Sequence, residues 1–252
     1  MNTLDTQKNI IATGTLPKNG KDYIVVLQTH ANIKDILNLH NTVQGDLPED
    51  KKTFIRDKDS HYIEKHLGRG GMIIGVICEG QLIAQSMLTL PTADNPGTGM
   101  MDMQLDAAPE DIAVLHGMIV HPDYRRNGLM PLMVDLRIKM AEALGRTHVI
   151  SEADARNPNS WSVLMAEGLE LHSIGLDQEN GSILYNMHAQ IKPLMERRAR
   201  SAFNKQASPP NALPIPANDI EQQKGLLCAG FKGVAFDKAH GTIAFTPPVQ
   251  KL

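Results

Sequence analysis

The sequence predicts a mixed α/β fold, a mostly antiparallel sheet flanked by helices and followed by a C-terminal helix–hairpin arm, and three observations carry that reading. From Ile112 to Val120 a branched apolar run about one strand long leads through a basic, glycine-containing turn into a stretch with helical apolar spacing. Two β-branched segments, 71–78 and 82–90, stand on either side of Glu79-Gly80-Gln81, the pattern of a tight antiparallel hairpin. A cap, helix, glycine, strand, polar turn and second strand follow one another from Asn159 to Tyr185, and the same order returns from Asn218 to Phe245.

Residues 1–20 are polar, with Gly14, Pro17 and Gly20, and read as an N-terminal arm with room for a short strand at Ile10-Ile11-Ala12. Tyr23 to Leu27 is a strand. Ile33, Ile36, Leu37 and Leu39 form a helical stripe that stops at Gly45-Asp46-Leu47-Pro48, and a second helix runs from Ser60 to Leu67 before Gly68. After the hairpin, Pro91 to Asp111 is a long polar insertion, either a lid whose Met100, Met101 and Met103 line a pocket or a surface loop. Leu129, Leu132, Met133, Leu136, Met140 and Leu144 mark one face of a helix that ends at Gly145.

Thr147 to Ala153 is a further strand, and Trp161 to Glu167 a short helix closed by Gly168. Strands at 171–176 and 182–187 enclose the turn Asp177 to Gly181, and Ile191 to Ala207 reads as a charged helix. Residues 208–216 hold four prolines, too many for a helix or a central strand, and read as a linker. The boundaries are therefore an arm at 1–20, a main domain at 21–192, and a linker with C-terminal arm at 193–252. That last piece is either a partial repeat or a chance likeness. It cannot bury its apolar face alone and is expected to dock on the main sheet or on a second chain.

Composition bounds the partners. At 252 residues the chain has length for one sizeable core with an appendage, and a formal charge of −3 supplies no electrostatic reason to bind nucleic acid. Arg197, Arg198 and Arg200 read as a solvated helix face. With two cysteines, Cys78 and Cys228, reduced thiols are expected. No apolar run is long enough to span a membrane, and Met1 to Thr15 lacks the apolar core of a signal peptide, so the expectation is a cytoplasmic monomer or homodimer. The histidines are scattered without metal-ligand spacing, so no metal is expected.

The turn between strand and helix suits an anion. The first amides of a helix lack intrahelical partners, the helix dipole adds positive potential there, and Arg125, Arg126 and Asn127 lie at that end with Gly128, Leu129 and Met130. Gly128 would let backbone approach a phosphate. On these residues alone, a solvated connection stays open. Val120, Pro122, Arg125 and Gly128 also match V-x-P-x-x-[RQ]-x-x-G-x-[GA], and Asn157, Ser160, Gly168 and Leu169 match N-x-x-[AS]-x-x-x-Y-x-x-x-G-[FL] at a compatible distance. Over about residues 21–190 the chain thus resembles the GNAT superfamily of acyl-CoA-dependent N-acyltransferases. It departs from the pattern at Met130, where Gly or Ala is usual, and at Leu164, where the family often has a tyrosine that protonates the leaving thiolate.

The resemblance implies acetyl-CoA as acyl donor, an amine as acceptor, and direct attack without a covalent enzyme intermediate. The donor would lie in a notch between strands 112–121 and 147–153, with its pantetheine along Met118, Ile119 and Val120, its pyrophosphate on Arg125 to Met130, and Asn157 beside it. A backbone N–H in the 118–120 run would polarise the acyl carbonyl. The attacking amine must lose a proton, and Glu152 and His116 are the candidate bases. With Leu164 unable to donate, Tyr185, Tyr124 or solvent is left to supply the acid. The alternative function is a noncatalytic acyl-CoA-binding or interaction module on the same fold.

Overall fold

The computed structural model describes residues 9–68, 70–95, 103, 105–201 and 211–248. They belong to two units, one from Met1–Gly97 with Ala113–Met140 and the other from Thr98–Ile112 with Ala141–Leu252. Met100 and Met101, Ala202 to Pro210 and the first eight residues lie outside the described set, so the lid reading and the start of the linker are not described.

In the first unit, apolar alternation produces β1 (Ile10–Thr15) and β2 (Asp22–Leu27), and the stripe that begins at Ile33 becomes α1 (Ile33–Gly45). A short turn of 3-10 helix at Glu49–Phe54, not anticipated from sequence, leads to α2 (Ser60–Lys65), which Asp59 caps by accepting from the Tyr62 amide at 2.7 Å. Then come β3 (Gly71–Cys78), β4 (Gln81–Thr89), β5 (Ile112–Val120) and α3 (Leu129–Ala143). The strands pair antiparallel in the order β1-β2-β3-β4-β5. Glu79 and Gly80 hold φ of 51° and 79°, the doubly left-handed geometry of a two-residue hairpin turn. Leu16, Val25, Ile74, Val76, Leu129 and Met133 fill one core cluster, while Ile36, Ile63, Ile73 and Met87 fill another under α1 and α2.

The pairing of β4 with β5 is interrupted. Met87 stands opposite His116 and Gln85 opposite Ile119, so Gly117 and Met118 together face one residue, Ser86. This is a β-bulge, which bends the strand and frees backbone from the ladder. Gly117 permits it: φ is 61°, and a Cβ there would lie 3.0 Å from the Met87 thioether.

The second unit contains β6 (His148–Asp154), α4 (Pro158–Ala166), β7 (Glu170–Leu176), β8 (Ile183–Gln190), α5 (Ile191–Ser201), β9 (Leu213–Pro216), α6 (Ile220–Cys228), β10 (Lys232–Asp237) and β11 (Thr242–Thr246). Their order is β6-β8-β7-β10-β11-β9. The expected linker is corrected here, since Leu213 to Pro216 form an edge strand on β11. The prolines permit this because residues of one parity face the partner: Ala217 N donates to Gly241 O at 2.9 Å, so Leu213 and Ile215 turn toward β11 while Pro214 and Pro216 turn their missing N–H outward.

That strand completes the repeat. β6-α4-β7-β8 and β9-α6-β10-β11 are each a strand, a helix and a hairpin whose last strand returns between the other two. Both helices close on a left-handed glycine, Gly168 at φ 89° and Gly230 at φ 86°. The closing bonds agree as well, Leu169 N to Leu164 O at 3.0 Å and Phe231 N to Leu226 O at 3.0 Å. β10 joins β7 at Gly233 and Leu171, so within this unit the arm extends the sheet. Arg198 is not a solvated residue: its guanidinium donates to the Glu167 carbonyl and carboxylate, both at 2.6 Å, at the end of α4.

Candidate functional site

Two features of the first unit gather several of the residues singled out from the sequence, and the first is the turn before α3. Pro122–Tyr124 form a single 3-10 turn; then Arg126 takes φ 62°, unusual for a residue with a Cβ, and Gly128 takes φ 73°. Asn127 holds this shape. It is 6% exposed, its side-chain amide donates to Tyr124 O at 3.0 Å, and its Oδ1 accepts from Lys18 N at 3.1 Å. Lys18 Nζ donates to Arg125 O at 2.9 Å, so a residue of the N-terminal arm joins the turn, which sequence spacing had no means to show.

The turn fits a diphosphate on three counts. Nothing lies within 4 Å of where a Cβ on exposed Gly128 would stand, so the Met130 side chain does not close over it. The amides of the turn stand at the N-terminus of α3. Lys18, Arg125 and Arg126 ring it with cationic groups. The Arg125 guanidinium is ion-paired with Asp46 at 2.6 Å, each side chain 40% exposed, so an incoming phosphate has to compete with that carboxylate. Leu129 and Ile119 are buried and offer a ligand backbone only.

The second feature is the bulge of β5. His121 N donates to Ile83 O at 2.8 Å, and alternate residues of a strand face opposite edges, so the amides of Met118 and Val120 turn away from β4. Arg137, 1% exposed on α3, braces the bend by donating to Met87 O at 3.0 Å and His116 O at 3.2 Å; burial pulls its pKa down to about 9. His116 is held by the Thr89 hydroxyl at 2.6 Å and the Tyr62 hydroxyl at 3.5 Å, and burial, then His66 and Lys58, push its pKa well below the ordinary imidazole range. Tyr62 stacks on His66 at 4.4 Å between centroids, and His66 lies 5.0 Å from His116. Lys58 completes the group, its Nζ 3.1 Å from a Cβ position on Gly117 and 5.5 Å from the Tyr62 ring centre. Burial, then Arg56, lowers its pKa to about 8. Sequence reading found His116 but missed Lys58, Tyr62 and His66, because a loop and a short helix bring them to the strand from more than forty residues upstream.

The remaining candidates lie in the second unit. Glu152 is partly buried on β6, opposite Asn186 in register, and Asn157 precedes α4 without capping it through its side chain. Leu164 is 3% exposed, within the core of its unit. Tyr185 is fully buried, its hydroxyl donates to Gln223 Oε1 at 2.6 Å beside Ala217 O at 3.0 Å, and burial raises its pKa to about 12. It secures the C-terminal repeat. Tyr124 is partly exposed in the turn, edge-on to His121 at 5.6 Å. Among the described residues no group of three or more His, Cys, Asp or Glu is placed to hold a metal ion, and no helix is long and apolar enough to cross a membrane.

Comparison with known proteins bears on this geometry. Residues 34–167, more than half of the chain, match the model of the acetyltransferase (GNAT) family. The GNAT domain of S. lividans PAT is similar in structure, with a TM-score of 0.52 at 14% identity over 71% of this chain and 96% of that one. An N-acetyltransferase from Staphylococcus aureus Mu50 gives 0.53 at 11% identity over 68% and 98%, and an uncharacterized protein from Bacillus halodurans 0.52 at 12% over 77% and 97%. Identities this low speak for the fold alone. No curated protein matches the sequence.

Proposed function

Since the chain belongs to the GNAT family of acetyltransferases, we propose that it is an N-acyltransferase that moves an acetyl group from acetyl-CoA to an amine by direct attack. The observation that carries this reading is the juxtaposition, on one strand and the helix after it, of a bulge that turns the Met118 and Val120 amides away from β4 and a left-handed turn open above Gly128. The turn, with Lys18, Arg125 and Arg126, holds the pyrophosphate. The amides of Met118 and Val120 pair with the pantetheine and polarise the acyl carbonyl, a contact that strengthens as negative charge gathers on the oxygen.

The acceptor nitrogen bonds to the acyl carbon, the carbon–sulfur bond breaks, and the proton lost by the amine passes to a base. His116, on β5 beside the bulge, is the first candidate, although burial lowers its proton affinity, and Glu152 is the second. The thiolate takes a proton from solvent or from Tyr124, since the Tyr185 hydroxyl is engaged elsewhere. The test is release of CoA thiol from acetyl-CoA over a panel of amino acids, polyamines, aminoglycosides and peptides. Acceptor-dependent release is expected; CoA binding without release from any acceptor would favour the noncatalytic reading.

A further inference from the structure

Lys58 stands in unusual company for a partly buried cation. Around its ammonium are Tyr62, His66 and His116, with His40 close enough to be affected by its charge. Among the described residues it forms no hydrogen bond or ion pair. The nearby acids are committed elsewhere, Asp57 accepting from the Gln44 side-chain amide and Asp59 capping α2. A desolvated cation without a counter-ion is costly, and proteins retain one chiefly where something else supplies the negative charge. The cluster holds no carboxylate of its own, so an entering anion is met by the Lys58 ammonium beside the Tyr62 ring, His66 and His116.

We propose that Lys58, beside Tyr62 and His66, receives the carboxylate of the acceptor, which makes the substrate a short amino acid with its amine close to that carboxylate. The closeness follows from the strand. Lys58 Nζ lies 3.1 Å from where a Cβ on Gly117 would stand, while the amides that polarise the acyl carbonyl belong to Met118 and Val120, one to three residues along at about 3.3 Å each. A carboxylate on Lys58 therefore sits about 3–10 Å along the strand from those amides, a span that suits an acceptor whose amine is close to its carboxylate. The inference rests on the acyltransferase reading above, and the experiment separates the two.

Calorimetry with the full-length protein loaded with CoA, which lacks a transferable group, measures binding of free amino acids and of the matching amino acid amides. CoA release from acetyl-CoA is followed with the same pairs. The acids are expected to bind and react better than their amides by about tenfold or more. Lys58→Met should abolish that preference with CoA affinity unchanged, and Lys58→Arg should restore part of it. Acids and amides that bind equally, no binding of either, or a preference that survives Lys58→Met would each overturn the assignment. An equal fall in turnover for acids and amides in Lys58→Met, with the preference intact, would place the ammonium in the chemical step instead. Binding alone decides the matter if no acyl transfer is seen, so failure of the catalytic reading is recognised separately.

Discussion

Lys232 stands beside His172 and is close enough to affect His188, while Lys58 stands beside Tyr62 and affects His40, His66 and His116. The first lysine donates to His172 Nδ1 at 3.0 Å and to His172 O at 3.3 Å, and Glu170 supports its charge. The second has no such partner among the described residues. The surroundings differ in the same sense: among the described residues, the buried side-chain polar atoms without a hydrogen bond are those of Gln28, His40, Gln85 and Ser86 in the first unit, and in the second one nitrogen of His188. Two clusters of similar chemistry thus serve different ends. The cluster around Lys232 is closed at its lysine, which His172 holds, and the cluster around Lys58 is open at its lysine, which has no hydrogen bond or ion pair among the described residues, at some cost to stability.

The largest expected effect is on acid stability, through the closed cluster. Burial, then neighbouring positive charge, holds His188 down at about 3 and His172 at about 4, against an ordinary 6.5. Below about pH 6.5 the unfolded chain takes up protons that the folded chain refuses, so the stability these rings leave intact above that pH is lost progressively toward about pH 4 and 3. His188→Leu should flatten the fall of the urea midpoint over that range; an unchanged slope would remove the histidines from the account of acid lability.

A smaller effect contrasts the lysines directly. Lys58 has its pKa lowered from 10.5 to about 8, so its charged form at neutral pH costs stability, a cost incurred as pH falls from the unfolded value through the folded one. Lys58→Met should raise unfolding free energy by about 1–3 kcal/mol. Lys232→Met should raise it by less, or lower it, because two hydrogen bonds to His172 are lost with the charge. Equal gains from the two variants in urea unfolding would erase the distinction. Smaller still is Tyr185→Phe, which loses the bond to Gln223 and should cost about 1 kcal/mol while turnover stays within about twofold of wild type. A large loss of turnover with CoA affinity intact would return Tyr185 to the chemistry.

Local chemistry made much of the fold legible. The β3–β4 hairpin follows from Glu79 and Gly80, and the turn before α3 from Gly128 and the apolar spacing that begins at Leu129. Prolines misled at β9, because composition does not reveal which parity of an edge strand faces its partner. The open cluster was hidden for a different reason. Lys58, Tyr62 and His116 carry no motif among themselves, and the bulge at Gly117 that brings them together depends on β4 pairing out of step with β5. Tyr185 looked available because Gln223, its partner, lies in an arm whose docking only the three-dimensional pairing of β7 with β10 reveals.

The most direct measurement is calorimetric titration of CoA into wild type, Gly128→Asp and Gly128→Asn. Asparagine tolerates the left-handed φ of 73° better than most residues and brings no charge, whereas aspartate sets a carboxylate among the amides of the turn. Wild type should bind, Gly128→Asn should bind somewhat more weakly, and a folded Gly128→Asp should lose well over tenfold, more than ~1.4 kcal/mol. A folded Gly128→Asp that binds CoA as tightly as wild type would contradict the assignment of the turn before α3 to the cofactor phosphates.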